Sequence, residues 1–60
     1  MTVREVLKML YRDGWYVVNQ EGSHMNLKHP TKPGKVTVAN HSGDIKPGTL
    51  RSIYRQAGLK

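Results

Sequence analysis

The chain contains no cysteine and no phenylalanine, and only four of its 60 residues are acidic. Without cysteine it can form no disulfide and no cysteine-ligated zinc site, so packing must hold together a domain near the lower size limit for independent folding. The longest apolar run, residues 15–18, is far too short to span a membrane. The first residues also lack the pattern of a signal peptide. We therefore expect a single intracellular, cytoplasmic domain over residues 1–60 with no membrane contact.

Positive charge is what the chain has in excess. Ten Lys and Arg residues against four Asp and Glu give a net charge of +6, while 37% of the residues are hydrophobic. That apolar share is typical of a folded domain rather than of a disordered basic tail. A compact basic domain most often binds a polyanion, either nucleic acid or an acidic protein, although charge also confers solubility.

Two segments have the pattern of amphipathic helices. Thr2 and Glu5 have the spacing of a capping box, and they predict a helix over residues 2–13 that ends before Gly14. Pro47 suits the first turn of a second helix, which Gly58 ends. Apolar residues recur at helical spacing in both segments: Val3, Val6, Leu7 and Leu10 in the first, and Leu50, Ile53, Tyr54 and Ala57 in the second.

Three segments between the helices are predicted to be strands, over residues 15–20, 24–29 and 35–39. In the second of them, Met25 and Leu27 share one face, and residues 24, 26 and 28 share the other. Short turns between the strands favour an antiparallel meander. The order α-β-β-β-α predicts an α+β fold of two layers, with both helices on one face of a three-stranded sheet and the other face exposed to solvent.

The three histidines do not have the spacing of a metal site. His24 and His29 are five residues apart on one predicted strand, so their side chains point to opposite faces. His41 and Asp44 offer at most two ligands from one loop. We therefore expect neither a metal nor another cofactor.

His24 is a candidate catalytic residue. It follows Gly22 and Ser23 at the entry to a strand, on the same side as Lys28 and with no evident packing role. Metal-free cleavage of RNA needs a base for the 2′-hydroxyl proton, an acid for the leaving 5′-oxygen and cations for the phosphorane. Imidazole, with an unperturbed pKa near 6.5, suits either proton transfer. An exposed histidine in a basic protein more often has no catalytic role, so this pattern alone does not show that His24 is catalytic.

His41 is a second candidate, although its loop leaves the direction of its side chain open. The candidates for phosphate binding are four cations on the strands and the second helix: Lys28, Lys35, Arg51 and Arg55. Such contacts give affinity without sequence preference. A further row of cations, at positions 4, 8 and 12 of the first helix, is interpreted as a solvated face.

Six short motifs follow one another along nearly the whole chain: Asp13-Gly14-Trp15, Gly22-Ser23-His24, Val36-Thr37-Val38, Asn40-His41-Ser42, Pro47-Gly48-Thr49-Leu50-Arg51-Ser52-Ile53 and Ala57-Gly58-Leu59. In this order and spacing they make the chain resemble the HicA family of bacterial and archaeal toxins, from the HicAB toxin–antitoxin systems. The resemblance implies a double-stranded-RNA-binding-like fold, which agrees with the order of elements derived above.

The resemblance also implies an activity and a partner. It implies an mRNA interferase, a ribosome-independent ribonuclease that arrests translation until a HicB antitoxin, typically acidic at its contact surface, binds it. The histidine chemistry above adds the expectation that cleavage needs no metal. The family's catalytic histidine corresponds to His24, in one motif with Gly22 and Ser23, and a second recurrent histidine corresponds to His41. The chain departs from the family at Asn40, where many relatives have proline.

Two other functions remain open at this point. The first is a non-catalytic RNA-binding module of the same fold, which would bind by shape and phosphate contacts. The second is a protein-binding subunit whose basic face meets an acidic partner. Substitution of His24 separates the nuclease from the RNA-binding module, because only the nuclease would lose turnover while still binding RNA.

Overall fold

The first helix begins at the capping box that the sequence predicts. In the computed structural model, which describes residues 1–59, α1 spans Val3–Asp13. The Glu5 amide donates to Thr2 Oγ1 at 3.2 Å, and the Thr2 amide donates to Glu5 Oε1 at 2.8 Å. This backbone hydrogen bond from Thr2 holds the pKa of the Glu5 carboxyl below its usual value. The helix ends at Gly14, whose φ of 105° forms a left-handed cap.

The three strands form an antiparallel sheet in the order β1-β2-β3, as the sequence predicts. Their bounds are Tyr16–Glu21 for β1, His24–Lys28 for β2 and Val36–Ala39 for β3, within one residue of the expected ends. The second helix, α2, spans Pro47–Gln56 and has its proline in the first turn. No helix among residues 1–59 is both long and apolar enough to cross a membrane.

One apolar cluster joins both helices to one face of the sheet, which confirms the expected two-layer α+β arrangement. The sheet contributes alternate residues of β2 and β3, because side chains on a strand point to opposite faces in turn. The buried members are Val3, Val6 and Leu10 of α1, Trp15, Met25, Leu27, Val36, Val38 and Ile45, and Ile53 and Ala57 at α2 and its cap. The opposite face of the sheet, here called the open face, carries the remaining side chains of β2 and β3.

The edge strand β1 differs from the other two, since all six of its residues are exposed. Val17 pairs with Leu27 and Asn19 pairs with Asn26, so Val18 is an extra residue that forms a β-bulge. The bulge reverses the alternation along β1. As a result Asn19 lies on the open face beside Asn26.

Candidate functional site

Polar side chains form a hydrogen-bonded row across the open face. Asn26 Nδ2 donates to Asn19 Oδ1 at 2.8 Å, and the Thr37 hydroxyl donates to Asn26 Oδ1 at 3.0 Å. The row therefore joins all three strands and fixes the orientation of the central amide. His24 lies on the same face of β2, two residues from Asn26 and so about 7 Å away along the strand.

His24 is the first residue of β2, opposite Glu21 of β1 and Ala39 of β3. Its side chain is exposed. Within residues 1–59, the rings of His29 and His41 form hydrogen bonds, whereas the ring of His24 forms none. Both ring nitrogens of His24 are therefore accessible to a ligand on the open face.

The conformation of the turn before His24 explains why glycine stands at position 22 of the motif. Glu21 and His24 pair across a two-residue turn, in which Gly22 has a φ of 60° and Ser23 has no positive φ. A positive φ at the first turn position is the pattern of a type II′ hairpin, which favours glycine there. A Cβ on Gly22 would meet nothing within 4 Å, so the backbone conformation rather than lack of space requires glycine.

The loop after β3 brings His41 to the same end of the sheet as His24. The Asn40 amide donates to the Ser23 carbonyl at 2.6 Å, so each of the two histidines lies one residue from this bond. His41 Nδ1 lies 2.8 Å from the Ser42 carbonyl oxygen. Because a carbonyl oxygen only accepts, Nδ1 carries the proton, and the unprotonated nitrogen of the neutral ring is Nε2.

His41 also lines a groove of about 610 Å³ between α1 and the loop that follows β3. One wall is a stripe of α1 at positions 4, 7, 8 and 11, and the other is the loop of residues 40–43. We call this depression the α1 groove, and its lining residues are Thr2, Val3, Arg4, Leu7, Lys8, Tyr11, Asn40, His41, Ser42 and Gly43. The sequence predicts a solvated face for the α1 cations, and the structure adds a second wall opposite two of them, Arg4 and Lys8.

The predicted phosphate-binding cations do not gather around His24. Lys28 is the last residue of β2, about 13 Å from His24 along the strand. Continuing the β2–β3 register places Lys35 beside Lys28. Arg55 lines a shallow depression with the loop that joins β2 to β3, at that same far end. Arg51 is exposed one helical turn earlier on α2.

His29 has a different environment from the other two histidines. Its Nε2 lies 2.6 Å from the carbonyl oxygen of Asp13, and its Nδ1 accepts from the amides of Thr31 and Lys32 at 3.1 and 3.0 Å. All three bonds fit one neutral tautomer, with the proton on Nε2. The ring also packs edge-on against Trp15, with centroids 5.2 Å apart. These contacts give His29 a structural role in the domain.

Asp13 connects the same end of the sheet to α2. Its Oδ2 accepts from Trp15 Nε1 at 3.1 Å and from Lys32 Nζ at 2.5 Å, and Lys32 Nζ also donates to the Ala57 carbonyl at 3.2 Å. The hydrogen bond from Lys32 holds the pKa of the Asp13 carboxyl below its usual value. The contact between Asp13 and Lys32 could not be predicted from the sequence, because the two residues lie 19 positions apart.

The three histidines thus lie in three separate places: on the open face, in the α1 groove and in the network around Asp13. Among residues 1–59, no three His, Asp or Glu side chains are grouped so that they could hold a metal ion.

Comparison with known protein families identifies the family of this chain. The family model for the HicA toxin of bacterial toxin–antitoxin systems matches residues 3–59, which include both helices, the sheet and the two motifs with His24 and His41. No curated protein matches the chain significantly. The chain therefore belongs to the HicA family of toxins, which act within toxin–antitoxin systems and have an antitoxin as their partner.

Proposed function

We propose that this protein is a metal-independent endoribonuclease that cuts single-stranded mRNA and arrests translation in the cytoplasm. The observation that carries the proposal is the exposed ring of His24, which has no partner among the described residues and lies beside a polar row on the open face. The net charge of +6 favours a polyanionic substrate. Membership of a toxin family supplies the biological role.

The proposed reaction uses the RNA's own 2′-hydroxyl as nucleophile. Its oxygen attacks the adjacent phosphorus, the bond from phosphorus to the 5′-oxygen breaks, and the products are a 2′,3′-cyclic phosphate and a 5′-hydroxyl. His24 takes the proton from the 2′-hydroxyl or donates one to the leaving oxygen. Gly22 and Ser23 form the turn that presents His24.

His41 is the candidate for the complementary proton transfer. Its Nδ1 proton is held by the Ser42 carbonyl, so Nε2 is the nitrogen available to exchange a proton with substrate. The hydrogen bond between Asn40 and Ser23 keeps its loop beside the His24 turn.

The cations at the far end of the sheet have a different role in this proposal. Lys28 lies about 13 Å from His24 along β2, and Lys35 lies beside Lys28, so we place both too far away to bind the phosphate that is cut. We assign them, with Arg51 and Arg55, to phosphates that flank the cleavage position. Such contacts make affinity fall as salt rises.

The antitoxin is proposed to be a HicB-type protein with an acidic contact surface. A toxin of net charge +6 attracts an acidic surface over a distance and so binds it rapidly. Coverage of the open face would block access to His24.

The test is cleavage of a long single-stranded RNA by the purified protein in EDTA, beside His24→Ala prepared in the same way. We expect cleavage by the parent, with 2′,3′-cyclic or 3′-phosphate ends, and cleavage slower by at least about 100-fold for the variant. Equal cleavage by both proteins, 3′-hydroxyl ends or a need for metal would contradict the proposal. Binding by both with cleavage by neither would identify a non-catalytic RNA-binding module instead.

A further inference from the structure

We propose that the α1 groove is a second subsite for the RNA strand, in which Tyr11 stacks on a base while Arg4 and Lys8 bind the adjoining phosphates. This inference rests on the proposed function, because it assigns a further contact to the RNA that His24 would cut. It extends the RNA-binding surface from the open face around the end of the sheet to α1.

The charge of the groove favours a polyanion. Its ten lining residues include Arg4 and Lys8 and no Asp or Glu. The salt bridges among residues 1–59 join the N-terminus to Asp44 and Lys32 to Asp13, so neither groove cation has an acidic partner there. Arg4 and Lys8 lie one helical turn apart, where like charges destabilise a helix slightly. A bound phosphate would relieve that repulsion.

An aromatic ring next to these cations indicates which class of polyanion the groove binds. Tyr11 is 51% exposed and lies one turn beyond Lys8 on the same stripe of α1, with Leu7 half-buried beside them. Exposed aromatic rings interleaved with cations bind single-stranded nucleic acid, because the ring stacks on a base while the cations hold its phosphates. Acidic side chains of a peptide would pair with the cations but would not stack on the Tyr11 ring, whereas one RNA strand supplies both phosphates and bases.

The groove is also large enough to hold a ligand, and it is continuous with the candidate site around His24. Its volume of about 610 Å³ lies within the usual range for small-molecule sites, about 300–1,000 Å³. Its second wall is the loop of residues 40–43, which the Asn40–Ser23 hydrogen bond fastens to the His24 turn. An RNA strand that passes His24 can therefore continue into the groove along the loop of residues 40–43, which contains no acidic residue.

The test is the affinity for an oligoribonucleotide of mixed sequence whose 2′-hydroxyls are methylated, so that it binds but is not cut. The variants are Tyr11→Leu and the double variant Arg4→Gln/Lys8→Gln, all at exposed positions. Arg12→Gln is the matched control, because it removes one charge from the same helix outside the groove.

We expect Tyr11→Leu to weaken binding by about 5- to 150-fold, the range for loss of one base stack. The double variant should reduce the slope of log affinity against log salt by about 0.7 for each phosphate contact removed. Arg12→Gln should change the affinity by no more than about twofold, since it removes only a screened surface charge. In cleavage assays, Tyr11→Leu should raise KM and leave kcat near the parent value.

Unchanged binding by Tyr11→Leu, or a double variant that behaves like Arg12→Gln, would overturn the subsite. So would variants that keep RNA affinity but lose affinity for the antitoxin, because the groove would then be a protein-docking surface. These outcomes are distinct from failure of the proposed function, which is a parent protein that does not cut RNA. A parent that binds methylated RNA through Tyr11 but cuts nothing would support the subsite and contradict the nuclease.

Discussion

Histidines lie at both ends of β2, His24 as its first residue and His29 directly after its last, and the protein uses the two in opposite ways. At the far end, both ring nitrogens of His29 are bonded to backbone groups, and the ring packs on Trp15. At the near end, the His24 ring is exposed on the open face with no hydrogen bond from the described residues. The comparison teaches that a side chain whose polar atoms are satisfied inside the protein contributes to stability, whereas an unsatisfied one is available for chemistry.

Neighbouring residues show the same contrast. The His29 end is tied to both helices through Asp13, Lys32 and the Ala57 carbonyl. The His24 end is joined to its surroundings by the Asn40–Ser23 backbone bond and by strand pairing. Substitutions at the far end should therefore change stability, and substitutions at the near end should change activity.

The largest expected effect is that of His24→Ala on cleavage. Loss of one general acid or base lowers turnover by about 10²–10⁴-fold. Because the side chain is exposed, the free energy of unfolding should change by less than about 0.5 kcal/mol. Single-turnover cleavage and urea unfolding measure the two quantities. A variant that is inactive because it is unfolded would contradict the claim that the near end determines activity and the far end stability.

The largest effect on stability is expected from Gly14→Ala. The residue has a φ of +105°, and a Cβ there would lie 2.7 Å from His29 Nε2, so the His29 ring would have to leave the Asp13 carbonyl. We expect a loss of about 2–3 kcal/mol from backbone strain and the broken hydrogen bond together. Thermal unfolding would show this as a fall in Tm of at least about 8 °C.

Gly34→Ala is the matched control for that prediction. Its φ of +80° also lies in the left-handed region that favours glycine, but a Cβ there would meet nothing within 4 Å. A larger loss of stability for Gly14→Ala than for Gly34→Ala is therefore expected from the contact with His29. Equal losses of stability would show that the His29 ring moves without cost.

A smaller loss is expected for His29→Phe, which keeps a ring against Trp15 but removes the hydrogen bonds of both nitrogens. The Asp13 carbonyl and two amides would lose their partner, at a cost of about 1–2 kcal/mol because the site is only partly buried. Urea unfolding measures the change. A variant as stable as the parent would show that water replaces these bonds without loss.

The smallest effect is the pH dependence contributed by Asp13. Because Lys32 lowers the pKa of this carboxyl in the folded state, its contribution to stability is present above the unfolded value near 3.8 and is lost as pH falls through the folded pKa. The difference in stability between the parent and Asp13→Asn should therefore shrink as pH falls from 5 towards 2. Unfolding curves at several pH values test this, and a constant difference would mean that the charge of Asp13 contributes nothing.

Local patterns predicted most of the fold. The capping box of Thr2 and Glu5 gave the start of α1, and the alternation around Met25 and Leu27 gave the faces of β2, since these signals lie within a few residues of each other. The bulge at Val18 was not predictable, because each residue of β1 is exposed and its sequence contains no alternation that marks the extra residue.

The surroundings of the candidate site depended on contacts that are distant in sequence. His29 forms a hydrogen bond with Asp13 across 16 positions, and Lys32 forms one with Asp13 across 19. No local motif in the sequence therefore predicts either contact. The α1 groove likewise needs the loop of residues 40–43 opposite Arg4 and Lys8. Sequence spacing selected His24 as a candidate, but only the structure separates its surroundings from those of His29.

The most direct test of this separation is the rate of RNA cleavage per folded molecule, measured in EDTA for the parent, His24→Ala and His29→Phe. The folded fraction of each protein comes from its unfolding curve under the same conditions. We predict that His29→Phe cuts at the parent rate and that His24→Ala is slower by about 100-fold or more. Cleavage by His24→Ala at the parent rate, with loss of cleavage in folded His29→Phe, would contradict the account.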